Sequence, residues 1–194
     1  MFHASLNYLT IKVNSQRYSA VGPRLMIGNV ATLNDTGNTE INLILSLINI
    51  EEDVLLRNPE NFFKRDLSTV YKNPPKHFNL TIIFGANNAA ATDKQQAYLQ
   101  ALQHIQIIIG FFQSQNVFDR NNSPDLPEGI DKLVFELVNL NLEQLHHLWG
   151  MLGGKYIPSV VYKMRLVTID DAQEEREAPL ITQIKINDHL KFQQ

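Results

Sequence analysis

Apolar positions recur at helical spacing in three stretches of the chain and alternate at strand spacing between them. Phe2, Leu6, Leu9 and Val13, at intervals of four, three and four, predict an N-terminal amphipathic helix that packs on a sheet. The segments 24–31, "RLMIGNVA", and 41–50, "INLILSLINI", read as strands joined by a polar turn, for which a hairpin is the simplest link. In the second of these, Ile41, Leu43, Leu45 and Leu47 share one face while Ile44, Ile48 and Ile50 share the other. Both faces need cover, so this is expected to be a central strand. The Pro-containing stretch from Glu51 to Pro75 shows no clean period and reads as a long connection. Phe78, Leu80, Ile82 and Phe84 then alternate with polar neighbours, which predicts a strand over 76–86.

The clearest helix comes next, over 93–113. Thr92 and Gln95 fit a capping box, and Ala97, Ala101, Ile105, Ile108 and Phe112 form its apolar stripe. A Pro/Asn/Gly-rich loop leads to a strand over 132–139. A helix over 141–152 is marked by Asn141 and Gln144 at its start and by Leu142, Leu145, Leu148 or Trp149, and Leu152 on its inner face. Gly153 and Gly154 are placed to stop it, and a β-branched strand over 159–170 comes after them. The pattern therefore predicts an α/β (α+β) fold: a mixed or antiparallel twisted sheet covered by helices, with an extended C-terminal arm. Residues 1–171 form the domain in this reading. Residues 172–194 divide into an acidic spacer, "DDAQEEREAP", and a strand-like arm in which Leu180, Thr182, Ile184 and Ile186 alternate with Ile181 and Gln183.

Composition narrows the chemistry. With 17 Lys and Arg against 20 Asp and Glu the net charge is −3 and no basic block stands out, so neither nucleic acid nor an anionic membrane is an expected partner. The absence of Cys excludes disulfides, thiolate metal sites and a thiol nucleophile. The first 18 residues lack the basic and long apolar regions of a secretory signal, and no apolar run approaches the ~18 residues that span a bilayer. Adjacent His146 and His147 diverge by about 100° on a helix and cannot grip one metal from one face. "GMLGGK" lacks the phosphate-loop spacing, and no Ser sits in a nucleophile elbow. Asp125 and Glu128 lie in "SPDLPEG", where turn chemistry accounts for polar residues between prolines. No enzyme, cofactor or metal is expected from these residues. A stand-alone adaptor or ligand-binding module stays open, with a hydrolase using Asp125, Glu128 or a His as the weaker alternative.

Several stretches carry a more specific signal: "ILSLINIEEDVLLRN" (44–58), "PPKHFNLTIIFGAN" (74–87), and above all "FDRNNSPDLPEG" and "LHHLWGMLGGKYIPSVVYKMRLVTID" within 111–170. Together they resemble the terminator, or cap, proteins of extracellular contractile injection systems, the phage-tail-like particles of the antifeeding-prophage and virulence-cassette type. The resemblance implies a non-enzymatic structural protein that forms a ring, a hexamer by analogy. That ring would sit on the distal end of the inner tube and engage the last sheath layer. Its expected partners are thus copies of itself, the tube protein and the sheath protein. Assembly would take place in a bacterial cytoplasm, with the protein becoming part of the particle. Longer relatives carry sequence beyond the shared domain, and functions housed there are not expected of this chain. Two contact regions are expected: a loop surface of Phe118, Asn122, Pro124, Leu126 and Pro127, and a strand-donating arm of Leu180, Ile181, Thr182, Ile184 and Ile186 that adds to a sheath subunit or a neighbouring copy.

Overall fold

The computed structural model describes residues 2–32, 43–53, 62–65, 68–72, 77–88, 92–167 and 174–179. The N-terminal apolar stripe becomes helix α1, Phe2–Arg17, which buries Leu6, Leu9 and Val13. Strands β1 (Leu25–Ile27), β2 (Leu43–Glu52), β5 (Phe78–Ala86), β6 (Val117–Asp119), β7 (Lys132–Leu137) and β8 (Ser159–Val167) make a six-stranded sheet in the order β1-β2-β5-β8-β7-β6. A second sheet, of order β3-β4-β9, contains β3 (Phe62–Arg65), β4 (Ser68–Lys72) and β9 (Glu174–Pro179).

The large sheet is mixed. Its pairings are antiparallel except for β1 with β2, which run parallel, Leu25 opposite Leu43. The expected hairpin between these two segments is thereby corrected: parallel neighbours need a crossover, not a tight turn. The chain leaves β1 through a 3-10 turn, Val30–Thr32. Ser46 on β2 secures this exit, its hydroxyl donating to Gly28 O and accepting from Val30 N–H at 2.7 Å. β2 is internal to the sheet, as its two apolar faces require. Leu43, Leu45 and Ile44 are buried, but beyond a register shift between Leu47 and Asn49 the strand runs out from under its cover and Ile50 is exposed.

Two cores lie on opposite faces of this sheet. On one, α1 and helix α2 (Lys94–Ser114) cover Leu45, Ile82, Phe84, Phe135 and Tyr162. All five residues of the α2 stripe, Ala97 to Phe112, are buried. The cap of α2 is Asp93 rather than Thr92: its carboxylate accepts from Gln95 N–H and Gln96 N–H, and its charge suits the positive end of the helix. On the other face, helix α3 (Leu142–Met151), the 3-10 turn and Ile157 cover Ile44, Ile83 and Val161. Asn141 and Gln144 form the reciprocal capping box, and Gly153 and Gly154, with φ of 99° and 79°, end the helix as Gly154 N–H donates to Trp149 O at 2.7 Å.

The small sheet departs from the sequence reading in both of its parts. Residues 62–65 and 68–72, read as connection, form β3 and β4; residues 174–179, read as solvated spacer, pair with β4 as β9. Charged sequence does not exclude a strand whose backbone finds a partner, because main-chain hydrogen bonds are indifferent to side-chain polarity. Residues 168–173 and the arm residues Leu180, Ile181, Thr182, Ile184 and Ile186 lie outside the described residues.

At Gly85, β5 is approached closely by Val30 and Ile157. A Cβ added there would lie 2.5 Å from Val30 Cγ2 and 3.0 Å from Ile157 Cδ1. Gly85→Ala should therefore cost about 1–3 kcal/mol in urea unfolding, because β5 cannot move away from its two neighbours. A second prediction concerns the junction of α1 and α2, where the Tyr18 hydroxyl and His104 Nδ1 are 2.9 Å apart. Burial, then the Arg24 charge, lowers the His104 pKa below its ordinary 6.5. Burial pushes Tyr18 up from 10.0 to about 12. The neutral pair is the folded form, so its contribution is complete above pH 6.5 and below pH 10. It is lost as pH falls through the depressed His104 value or rises through that of Tyr18. The melting temperature should fall on both sides of that window, and His104→Gln should flatten the acid side alone.

Candidate interaction surfaces

The loop after β6 is held by its own side chains. Asp119 Oδ1 accepts from Asn121 N–H at 2.9 Å and Asn122 N–H at 3.0 Å, while Asn122 Oδ1 accepts from Asp119 N–H at 3.0 Å. Arg120 forks across the loop, Nη1 donating to Leu126 O at 2.7 Å and Nη2 to Pro127 O at 2.9 Å. Gly129 turns the chain with φ of 76°, a conformation that favours glycine, and Ile130 enters the core behind it. From α1, Lys12 Nζ reaches Asp125 at 3.0 and 3.2 Å. Burial pulls the Lys12 ammonium down, but the Asp125 hydrogen bond and the nearby Tyr8 and Asp125 charges outweigh it and leave Lys12 above its ordinary value. Asp125 is therefore engaged in tying α1 to the loop. Glu128 points to solvent.

The loop presents fewer of the expected contact residues than its sequence suggests. Phe118 is 0% exposed and Leu126 4%, both inside the α1–α2 core, with the Phe118 ring 6.0 Å from Phe111 and 5.6 Å from Phe135. That part of the expected surface is corrected: these two side chains anchor the loop. Of the expected residues, Asn122 and Pro124 are exposed and Pro127 half-exposed.

The opposite face carries the second surface. Trp149 is buried against the sheet, its ring 5.7 Å from Tyr156 in an edge-to-face arrangement, and its Nε1 finds no acceptor. The two residues line a shallow cleft of about 260 Å³ with Leu145 and His146. Leu142, expected on the inner face of α3, is instead 85% exposed because it occupies the first turn, beyond the edge of the core. Met151 and Tyr156 are also exposed, which gives this end of α3 an apolar rim. The histidines there do not converge. His146 and His147 have rings 6.0 Å apart and both face solvent, and His147 Nε2 lies 3.7 Å from Glu143. Among the described residues no group of three or more His, Asp or Glu could hold a metal ion, and no helix is long and apolar enough to cross a membrane.

A third apolar area, on α2, escaped the sequence reading: Tyr98, Leu99 and Leu102 are exposed. The signal was present as apolar residues off the Ala97–Phe112 stripe, on helix positions that a buried face does not need. None of the three surfaces assembles a nucleophile, a base and an oxyanion donor.

The fold has counterparts among known proteins. The Pvc16 N-terminal domain family matches residues 15–183. Among solved structures, the fold is similar to that of the anti-feeding prophage cap, a tube terminating cap, with TM-score 0.55 and 17% identity over 94% of this chain and 60% of that chain. The sheath/tube terminator of the PVC extracellular contractile injection system, in its extended state, also matches, with TM-score 0.47 and 15% identity over 94% of this chain and 62% of that chain. The chain thus spans about three fifths of each of these proteins. No curated protein matches it.

The clamp predicts a specific weakness. Arg120→Ala should cost about 1–2 kcal/mol, since two charge-assisted bonds to carbonyls are lost at a solvent-exposed site. Limited proteolysis should then cut within 119–130 well before the domain melts. Arg120→Lys, which cannot fork, should recover less than half of the loss.

Proposed function

The chain belongs to the Pvc16 N-terminal domain family, and from that premise we propose that it is a structural terminator of a contractile injection particle, a cap that ends the inner tube and meets the last sheath layer. The observation that carries this reading is the family match over residues 15–183, which contains the large sheet, α2, α3 and the exposed residues of all three surfaces. A fold like that of a tube terminating cap is consistent with it.

The physical logic is termination by omission. A subunit that copies a polymer's binding surface on one side, and lacks the next such surface on the other, stops growth. Two chemically different faces suit that role: the loop of Asn122, Pro124 and Pro127 under α1, and the apolar rim of Leu142, Met151 and Tyr156 at the end of α3. A compact domain of this length has a radius of gyration of about 16 Å, so several copies are needed to cover a tube end. Heterologous contacts repeated around an axis close into a ring, and six copies would match a six-fold tube. The ring would assemble with the particle in the cytoplasm and leave with it.

The arm completes the reading. Leu180, Ile181, Thr182, Ile184 and Ile186 are proposed to add a strand to a sheath subunit or a neighbouring copy, with Leu180, Ile184 and Ile186 setting register. Because β9 pairs with β4 in the same chain, the domain in this proposal extends to Pro179 and the donated segment starts after it.

Deletion of the chain from a producing strain should leave particles with tubes or sheaths of irregular length, visible by electron microscopy. Normal lengths in the absence of any second cap protein would refute the terminator. Truncation after Pro179 tests the arm separately: the shortened protein should melt cooperatively and still bind tubes, yet lose sheath in copurification. Retention of sheath would refute strand donation while leaving the cap itself intact.

A further inference from the structure

Both ends of the six-stranded sheet are met by an asparagine side chain. At β1, Gly28 N–H donates to Leu45 O across the ladder, which places the backbone groups of Leu25 on the outer side. Asn14, near the end of α1, meets them there. Its Oδ1 accepts from Arg24 N–H and Leu25 N–H, both at 3.0 Å, and its Nδ2 donates to Leu25 O at 2.9 Å. At β6, Phe135 N–H donates to Asn116 O, which turns Val117 and Asp119 outward. Asn122 meets these: Nδ2 donates to Val117 O at 3.1 Å and Oδ1 accepts from Asp119 N–H at 3.0 Å. Ser123 N–H donates to Asp119 O at 2.8 Å.

A side-chain carboxamide carries one acceptor and a pair of donors, the same kinds of group as a peptide unit, so it can stand where the backbone of a next strand would stand. Open edges are templates for pairing with another chain, and proteins that must stay apart before assembly need them blocked. The residue choice fits: Asn is a poor helix former because it competes for backbone groups, and in α1 it does so with a strand rather than with its own helix. We infer that Asn14 and Asn122 are edge caps that close both ends of the large sheet to strand addition. A second copy of this chain is thereby refused at β1 and β6, which leaves other edges and surfaces for contact. The inference concerns the isolated subunit and holds whatever the ring binds.

Amide hydrogen exchange on the full chain tests the caps directly. The Leu25 and Asp119 amides should exchange at least roughly tenfold more slowly in the wild type than in Asn14→Ala and Asn122→Ala respectively. Sedimentation velocity tests their purpose. Variants with a native circular dichroism spectrum and a cooperative melt should form species larger than any in the wild type, increasingly so with concentration and most in the double variant. Unprotected Leu25 and Asp119 amides in the wild type would overturn the caps. Folded variants that sediment as the wild type at every concentration would overturn the refusal of strand addition. If the Ala variants do not fold, the similarly sized Asn14→Leu and Asn122→Leu, which lose both the acceptor and the donors, carry the test by the same criteria.

Discussion

Phe112 fastens α2 to the large sheet. Its ring centre lies 4.4 Å from that of Tyr162 on β8, 4.7 Å from Phe135 on β7 and 5.8 Å from Phe84 on β5, with Phe111 edge-on at 5.1 Å. Three neighbouring strands are thus keyed to one helical side chain, and aromatic pairs in tilted and edge-on geometry add to the area they bury. The chain beyond α2 inherits this placement: β6 starts at Val117, shortly after the helix ends at Ser114, pairs with β7 and launches the Arg120-clamped loop. A shift of α2 would move Phe111 and Phe118, which stack at 6.0 Å, and with them the anchor of that loop.

The sheet is covered by α1 and α2 on one face and by α3 over part of the other, where Glu136 and Arg165 are exposed, and its two ends are closed by Asn14 and Asn122. Contact is left to the exposed loop residues, the rim of α3, the charged part of the α3 face, the outer side of α2 and the segments beyond the large sheet. A terminator has to meet a growing polymer on one side and refuse its next layer on the other. In a subunit whose large sheet is capped at both edges, the geometry of the surfaces away from those edges decides which contact forms.

The parts of this fold that were legible in the sequence are those where burial is periodic. The α2 stripe from Ala97 to Phe112, the Asn141–Gln144 box and the Gly153–Gly154 stop emerge as read, because each is a local signal with one physical solution. The parallel pairing of β1 with β2 was not legible: a strand's own pattern says which face is buried and nothing about the direction of its neighbour. Nor was β9, whose acidic sequence gives no apolar alternation to mark a strand. Of the loop surface, Asn122, Pro124 and Pro127 reach solvent, but Phe118 and Leu126 are core. An apolar residue in a polar loop reads equally well as an anchor turned inward or a contact turned outward, and only the path of the chain over α1 decides. The edge caps were invisible for a related reason, since an asparagine in a helix or a turn does not announce which backbone it will meet.

The central claim is that the chain binds a tube end and nothing else along the tube. Isolated inner tubes incubated with gold-labelled chain and imaged by negative-stain electron microscopy test this directly. The account predicts label at one end of each tube, with bare sides, and saturation at a fixed small number of copies per tube. Label distributed along the sides, or tubes that stay unlabelled while the chain remains folded, would contradict it.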